Sequence, residues 1–332
     1  DGITEKQAYA LVNELSNTCW SLRESNSDSA LIIGKNALQL ATKYGFSKEI
    51  PKLSGFIGVI LIHYLYDIRG SIPYFQESLK GSLEVNDSIR IGYSYNNLGD
   101  VYMLTGNVPL ALQFSEKSLE IFSNIDNKMG IAYGYINMGL IYRNEKRYDL
   151  AIEYFQKARN LRKEIGDSTG FASSLLEIAK THQLKGNIDL AMNYFNQSFD
   201  KHVEINNKRY TAFCLNGIGG LNYLQGEYDI ALQNYMDAII LNESRMSYFG
   251  LIENYIGIAL VYAKQNKILE GEAALNNALE ISTRLGLHSK ILEVYESFAE
   301  FNQLVDDYKK ATSSLSKFLV LYDSIYSVQQ FE

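Results

Sequence analysis

The fold is decided by residues 130–164, GIAYGYINMGLIYRNEKRYDLAIEYFQKARNLRKE, because the arrangement of this stretch recurs before and after it. Apolar residues in the stretch follow the three- and four-residue spacing of an α-helix, and the polar segment 144–147 interrupts them. The stretch therefore predicts two helices joined by a tight turn.

The chain repeats this pattern at a fixed period, in blocks that start at Arg90, Gly130, Gly170, Tyr210 and Gly250 without a gap. Two antiparallel helices approach closely only where neither carries a large side chain. Small residues fill one column in the first helix and one in the second: Gly99, Gly139, Ala179, Gly219, Ala259, Ala299, and Ala111, Ala151, Ala191, Ala231, Gly271, Ala311. The columns predict an all-α fold of stacked helix pairs.

The turns carry their own signals. Gly106-Asn107, Gly186-Asn187 and Gly226-Glu227 break the pattern between the two helices of a block, since glycine suits the left-handed position that ends a helix. Asn127, Asp167 and Asn207 mark the turns into the next block.

We expect a single array over residues 1–332, with irregular repeats in 1–89, regular repeats in 90–289, and a last repeat with a capping or linker helix in 290–332. In the irregular part, residues 62–70 are interpreted as the end of a first helix, followed by a second helix that reaches about Val85. The total is about eight repeats and sixteen helices. The final helix is expected to be amphipathic and to continue through its apolar residues to the end of the chain: Leu319, Leu321, Tyr322, Ile325 and Val328.

Composition restricts the function classes. The net charge of −7 argues against nucleic acid as a partner. The longest apolar run, residues 56–62, is far shorter than the roughly 20 residues that cross a membrane, so no membrane insertion is expected. The two cysteines lie about five repeats apart and are expected to be free and buried. This favours the cytoplasm and leaves the periplasm open.

The columns resemble the tetratricopeptide repeat (TPR). Met138-Gly139 and Tyr142 in the first helix, and Ala151 and Ala158 in the second, match its motif of large, small and aromatic positions. The period of 40 is similar to the longer repeats of kinesin light chains, Gram-positive quorum-peptide receptors and bacterial signalling proteins. The resemblance implies a right-handed superhelix whose first helices line a concave groove.

No catalytic constellation is recognised. The four histidines form no metal motif, and His182 stands in an aromatic packing column. Gly217-Ile218-Gly219-Gly220 lacks the preceding strand and following lysine of a phosphate loop, so packing is the favoured interpretation. We therefore expect no enzyme, cofactor or metal in this chain, although a missing portion of the protein would be free to carry a catalytic domain.

The groove implied by the resemblance gives the candidate site. In related grooves an asparagine immediately before the large-small pair clamps the backbone of an extended peptide, which points to Asn97 and Asn137; the alternative is that these amides bond neighbouring backbone or face water. Arg143 and Lys180 would hold an acidic group, and tyrosines would supply contact area. The full set is Tyr93, Asn96, Asn97, Tyr133, Asn137, Arg143, Glu177, Lys180, Asn216 and Tyr223.

Three functions are compatible with such a groove. The first is the sensory or regulatory region of a larger bacterial signalling protein, expected because the chain opens with Asp1 and its last helix has not finished at Glu332. The alternatives are a stand-alone peptide receptor and an assembly scaffold that binds a partner protein, with a homodimer through the C-terminal helix.

Overall fold

A computed structural model describes residues 3–245 and 247–326, and these residues form helices and short turns without a β-strand. The sixteen helices are α1 Glu5–Leu22, α2 Ser27–Tyr44, α3 Glu49–His63, α4 Ile68–Glu84, α5 Ser88–Leu104, α6 Val108–Asn124, α7 Lys128–Asn144, α8 Tyr148–Glu164, α9 Ser168–Leu184, α10 Ile188–Glu204, α11 Lys208–Gln225, α12 Tyr228–Glu243, α13 Tyr248–Lys264, α14 Ile268–Arg284, α15 His288–Leu304 and α16 Tyr308–Tyr326. The predicted all-α solenoid of paired helices is confirmed. Val328 lies outside the described residues.

The contacts divide the chain into two compact units, Asp1–Ser174 and Leu175–Glu332, and each is described by itself. Helices α1–α8 belong to unit 1 and α10–α16 to unit 2, while α9 contains the boundary. A single array over the whole chain stays a prediction.

In both units, the first helices of successive pairs pack against each other: α1 on α3, α3 on α5, α5 on α7, and α11 on α13, α13 on α15. Among the described residues of each unit, no comparable contact joins the second helices of neighbouring pairs. The first helices therefore lie on the inner side of the stack within each unit.

Four successive first helices, α5, α7, α9 and α11, start with the same cap. The side chains of Asp87, Asn127 and Asn207 accept hydrogen bonds from the backbone N–H three residues later. The Asp167 carboxylate does the same for Gly170, at 2.9 Å. The predicted turn positions are therefore confirmed at Asn127, Asp167 and Asn207.

The column of small residues is required by close packing. A Cβ added to Gly139 would lie 2.5 Å from the ring of Phe155, and one added to Gly99 would lie 2.7 Å from the Ser115 hydroxyl oxygen. Such distances are too short for any side chain, so each glycine admits the second helix of its own pair.

One helix boundary was predicted wrongly. Residues 68–70 begin α4 instead of ending the preceding helix, which stops at His63. Tyr66 adopts a left-handed backbone (φ 58°), and the Asp67 carboxylate accepts from the Gly70 N–H at 2.8 Å, so the turn is at 64–67. Pro73 consequently lies inside α4, near its first turn.

Candidate functional site

The predicted groove residues of unit 1 lie on α5 and α7, two first helices that pack against each other. We call them the unit-1 strip: Tyr93, Asn96, Asn97, Tyr133, Asn137 and Arg143. The unit-2 set consists of Glu177, Lys180, Asn216 and Tyr223.

Asn137 and Asn96 are brought together. The Asn137 Nδ2 donates to the Asn96 backbone carbonyl at 2.8 Å, and the two residues are only 7% and 8% exposed. The Asn96 Oδ1 is buried without a hydrogen-bond partner in the described residues. The Asn137 donor is thus occupied by neighbouring backbone, which is the alternative that the sequence left open, whereas the Asn96 acceptor is unused.

Asn97 differs from its counterpart in the next repeat. It is half-buried on α5, and no described residue forms a hydrogen bond with its side chain. An amide both donates and accepts, so Asn97 retains the full capacity to bond an extended backbone.

Aromatic rings of the unit-1 strip form a continuous contact. The ring centroids of Tyr93 and Tyr133 are 6.1 Å apart and nearly perpendicular, and Tyr93 also meets Phe122 at 4.9 Å. Tyr133 is 42% exposed, and the guanidinium of Arg162 lies 5.1 Å from its ring. Burial, followed by the neighbouring Tyr133, raises the pKa of Tyr93, so this hydroxyl is a neutral donor near pH 7.

Arg143 lies farther along α7, with its guanidinium carbon 5.6 Å from the centre of the Phe155 ring. This half-buried cation is held by a ring from the second helix of its own pair. The fixed guanidinium supplies positive charge at the C-terminal end of the strip.

Unit 1 also contains a pair that the sequence-based site omitted. The His63 Nε2 lies 3.3 Å from the Asp100 Oδ2, which joins the end of α3 to α5. Burial raises the pKa of Asp100, and the attraction of His63 offsets this only in part. His63 was missed because the N-terminal repeats do not follow the spacing of the regular ones. Its position, a polar residue at the end of a first helix, would have indicated it.

In unit 2, Glu177 and Lys180 are one turn apart on α9 and form an ion pair at 3.4 Å. The Lys180 ammonium also lies 5.5 Å from the ring of Phe213 on α11. The charge that was expected to hold an acidic group is therefore partly matched within its own helix.

Asn216 is half-buried and bonds a pair of buried amides. Its Oδ1 accepts from the Asn254 Nδ2 at 2.9 Å, and the Asn254 Oδ1 accepts from the Asn242 Nδ2 at 2.8 Å. This chain links α11, α13 and α12 and orients the Asn216 amide. Asn254 was missed, although it is an amide in a column that elsewhere holds small residues.

Tyr223 stands near the end of α11, apart from Asn216, with its ring centroid 6.1 Å from that of Tyr228. Burial raises the pKa of Tyr223, and so does the carboxylate of Glu300 on α15.

The described residues hold no group of three or more histidine, cysteine, aspartate or glutamate side chains placed to bind a metal. Nor is any helix in the described part of the chain long and apolar enough to cross a membrane. His182 is buried and stacks on Tyr194 with centroids 5.5 Å apart, which confirms its packing role.

Comparison with known proteins agrees with this architecture. A family description named tetratricopeptide repeat matches residues 90–164 and 130–201. A Rap protein solved in complex with the competence and sporulation factor has a TM-score of 0.70 at 11% identity and covers 98% of this chain and 99% of its own. No curated protein matches the sequence.

Two further solved structures are similar over nearly the whole chain. Aspartyl phosphate phosphatase F from Bacillus subtilis has a TM-score of 0.67 at 12% identity, with 97% of this chain and 95% of its own covered. A signal transduction ATPase with numerous domains from Pyrococcus horikoshii, which contains a tetratricopeptide repeat sensor, has a TM-score of 0.60 at 15% identity. It is covered over 54% of its length and covers 99% of this chain. At these identities the similarity establishes the fold.

Proposed function

We propose that this chain, which matches the tetratricopeptide repeat family over residues 90–201, is a non-enzymatic module that binds an extended peptide or protein segment along its first helices. The observation that carries the proposal is the unit-1 strip, where tyrosines and amides of two adjacent first helices lie in register on the inner side of the stack. The similar Rap protein is itself solved with a bound factor, which supports the same use of the fold.

The strip offers two kinds of contact. Tyr93 and Tyr133 provide ring surface with polar tips, while Asn97 provides an amide that the described residues do not use internally. Arg143 adds a cation at one end. An extended peptide needs these elements, because its backbone presents alternating donors and acceptors and its side chains need apolar surface.

The test is to select peptides from a random display library on the whole chain and to measure their affinity by calorimetry. Asn97→Ala should weaken binding about tenfold, the loss expected when a well-placed hydrogen-bonding group of about 1.4 kcal/mol is removed. Asn124→Ala, at an exposed position on α6, is the control. Selected peptides that bind Asn97→Ala and wild type equally would contradict the clamp.

Asn137 is unsuitable as the first variant. Its side chain bonds the Asn96 carbonyl, so Asn137→Ala would change the packing of α5 on α7 as well as the surface of the strip. A weaker complex with that variant would therefore report on folding and on binding together.

We further propose that the module serves as the sensory or regulatory region of a larger bacterial signal-transduction protein in the cytoplasm. Support comes from the similar signal transduction ATPase, in which the repeats are a sensor, and from the two free, buried cysteines, which suit a reducing compartment. The coding sequence on both sides of the chain tests this. A stop codon directly after Glu332, with no effector domain upstream, would contradict it and favour a stand-alone receptor.

A further inference from the structure

A buried carboxylate and a buried amide lie one turn apart on α5, and the described residues do not satisfy either of them fully. Asp100 and Asn96 are each only 8% exposed. Side chains four residues apart on a helix are neighbours on the same face, which here is the inner side of unit 1. Buried polar groups in folded proteins nearly always have partners, so this pair indicates a group that binds from outside.

The Asp100 carboxylate has room for a further cation. Its Oδ2 lies 3.3 Å from the His63 Nε2, and no described lysine or arginine forms an ion pair with it. No described residue donates a hydrogen bond to its Oδ1. Carboxylates this deeply buried are normally paired with a full cation, whereas the exposed imidazole of His63 approaches only one oxygen of this one.

Asn96 contributes an acceptor that nothing inside the protein uses. Its side chain forms no hydrogen bond with any described residue, and its Oδ1 is buried without a partner. Because no internal bond holds the amide, rotation about χ2 is enough to turn the oxygen toward the inner side of the stack. The amide can therefore accept from a ligand that lies against Asp100.

Asn137 on α7 adds a second amide oxygen, and its direction is fixed. The Asn137 Nδ2 donates to the Asn96 backbone carbonyl at 2.8 Å, so the Oδ1 on the other side of the amide is left as an acceptor without a donor among the described residues. In an α-helix that carbonyl also receives the N–H of Asp100. The Asn137 amide therefore lies against the turn of α5 that joins Asn96 to Asp100.

We propose that Asn96, Asp100 and Asn137 form a subsite that binds a primary ammonium group of the bound peptide. An ammonium is a compact charge with three donors and no acceptor. The subsite offers three acceptor oxygens, one from each side chain, and one of them carries the compensating negative charge.

The geometry separates an ammonium from other groups. A guanidinium binds a carboxylate best through two parallel hydrogen bonds, but one oxygen of Asp100 already faces His63. An acidic group would be repelled by Asp100, and a neutral donor would leave its charge unmatched. The subsite rests on the proposed function, to which it adds a ligand class: a peptide with a lysine or a free N-terminus placed over α5 and α7.

The direct test uses three forms of lysinamide that differ only in acetylation. Nα-acetyl-lysinamide carries the side-chain ammonium, Nε-acetyl-lysinamide carries the terminal ammonium, and the diacetyl form carries neither. With the asparagine side chains of the whole chain isotope-labelled for NMR, a monoacetyl form should shift the Asn96 and Asn137 amide signals at millimolar concentration near pH 7. The diacetyl form should bind at least about tenfold more weakly.

The two monoacetyl forms distinguish the possible sources of the ammonium. A response to the Nα-acetyl form alone supports a lysine side chain, a response to the Nε-acetyl form alone supports the peptide N-terminus, and equal responses support a subsite that accepts both. No shift with either form, or an equal shift with the diacetyl form, would overturn the subsite.

Two variants locate the effect. Asp100→Asn keeps the shape of the side chain and removes its charge, so ammonium affinity should fall at least about tenfold. Asp200→Asn, the same change at an exposed position on α10, should leave the affinity unchanged. Equal affinity of wild type and Asp100→Asn for the monoacetyl forms would overturn the proposal.

The second variant is Asn96→Leu, measured through the Asn137 amide signal. It removes an amide that bonds no described residue, so its thermal midpoint should equal or exceed that of wild type while ammonium affinity falls several-fold. A destabilised Asn96→Leu with unchanged affinity would show that the amide is structural and would count against the subsite.

Display-selected peptides separate the subsite from the general function. Peptides whose affinity depends on one lysine or on a free N-terminus, with that dependence lost in Asp100→Asn, support both. Selected peptides that bind without such dependence, together with no binding of the monoacetyl forms, overturn the subsite and leave the function standing. Binding of a monoacetyl form without any selected peptide keeps the subsite and contradicts the peptide function.

Discussion

At the scale of single residues, one buried position near the end of the second helix holds a different type of side chain in each repeat. His202 is the member with the largest consequence: it is fully buried, stacks on Tyr210 at 4.8 Å, and neither ring nitrogen has a partner in the described residues. Burial lowers the pKa of His202 to about 4. The column reads Phe122, Arg162, His202, Asn242 and Ser282.

We predict that His202 makes the protein less stable in mild acid. The unfolded histidine takes up a proton below its ordinary pKa of about 6.5, while the folded one remains neutral until about 4, so stability falls as the pH drops through this window. The loss attributable to His202 between pH 7 and pH 5 should be about 2 kcal/mol. Urea unfolding of wild type and His202→Phe at both pH values measures it.

Phe is the suitable replacement because Phe122 fills the same column in another repeat. Carboxylates contribute their own pH dependence to both proteins, so the difference between the two is the quantity of interest. An identical acid dependence in wild type and His202→Phe would contradict the prediction.

Lys146 offers a second residue-scale prediction. It has a left-handed backbone (φ 58°) at the turn position where Gly106, Gly186 and Gly226 stand in other repeats. A non-glycine residue is disfavoured there by about 1–2 kcal/mol, partly offset by the greater freedom of glycine in the unfolded chain. Lys146→Gly should therefore stabilise the protein by about 0.5–1 kcal/mol in chemical denaturation.

The reverse change provides the control. Gly186→Ala, at φ 83°, should destabilise the chain by about 1 kcal/mol. If Lys146→Gly lowered the denaturation midpoint, the turn lysine would be making a favourable contact that outweighs its backbone conformation.

The asparagines show why the sequence predicted the candidate site only in part. Asn97 and Asn137 occupy the same column, so no pattern distinguishes them, yet the Asn137 amide is bonded to the Asn96 carbonyl and the Asn97 amide is bonded to no described residue. Which amide is used internally depends on the distance between neighbouring helices, and a repeat pattern does not contain that distance.

At the scale of the helices, the sequence predicted the regular repeats well and the irregular ones poorly. From Asp87 onward, turns recur at the same place in successive repeats, side-chain caps recur from Asp87 to Asn207, and the predicted turns coincide with those of the structure. Before Asp87 the spacing between repeats is no longer constant. The turn at Tyr66 also contains no glycine that would indicate it. A tyrosine in a left-handed conformation is set by its neighbours and not by its own preference.

Helix α16 exposes apolar residues that its counterparts bury. Leu315 is 41% exposed, whereas Leu275, at the same position of α14, is fully buried beneath the next helix. Leu319 and Val320 are also exposed. The final described helix therefore presents an uncovered packing face.

At the scale of the whole molecule, we predict that this face mediates a homodimer. Light scattering over a concentration series should give a mass above 37.6 kDa that falls toward the monomer on dilution. Leu319→Glu should shift the equilibrium to the monomer, while Leu269→Glu, at an exposed position on α14, should not. A wild-type mass that stays monomeric at every concentration would exclude the dimer.

The glycine column also constrains how such a chain changes length. Because Gly99, Gly139 and Gly219 each accept a side chain from the partner helix, an inserted or deleted residue between them would place a bulky group in a slot that holds only hydrogen. Growth and loss are therefore tolerated in whole helix pairs. Related proteins should therefore differ in their number of helix pairs, and the length of the ligand segment that they recognise should differ with it.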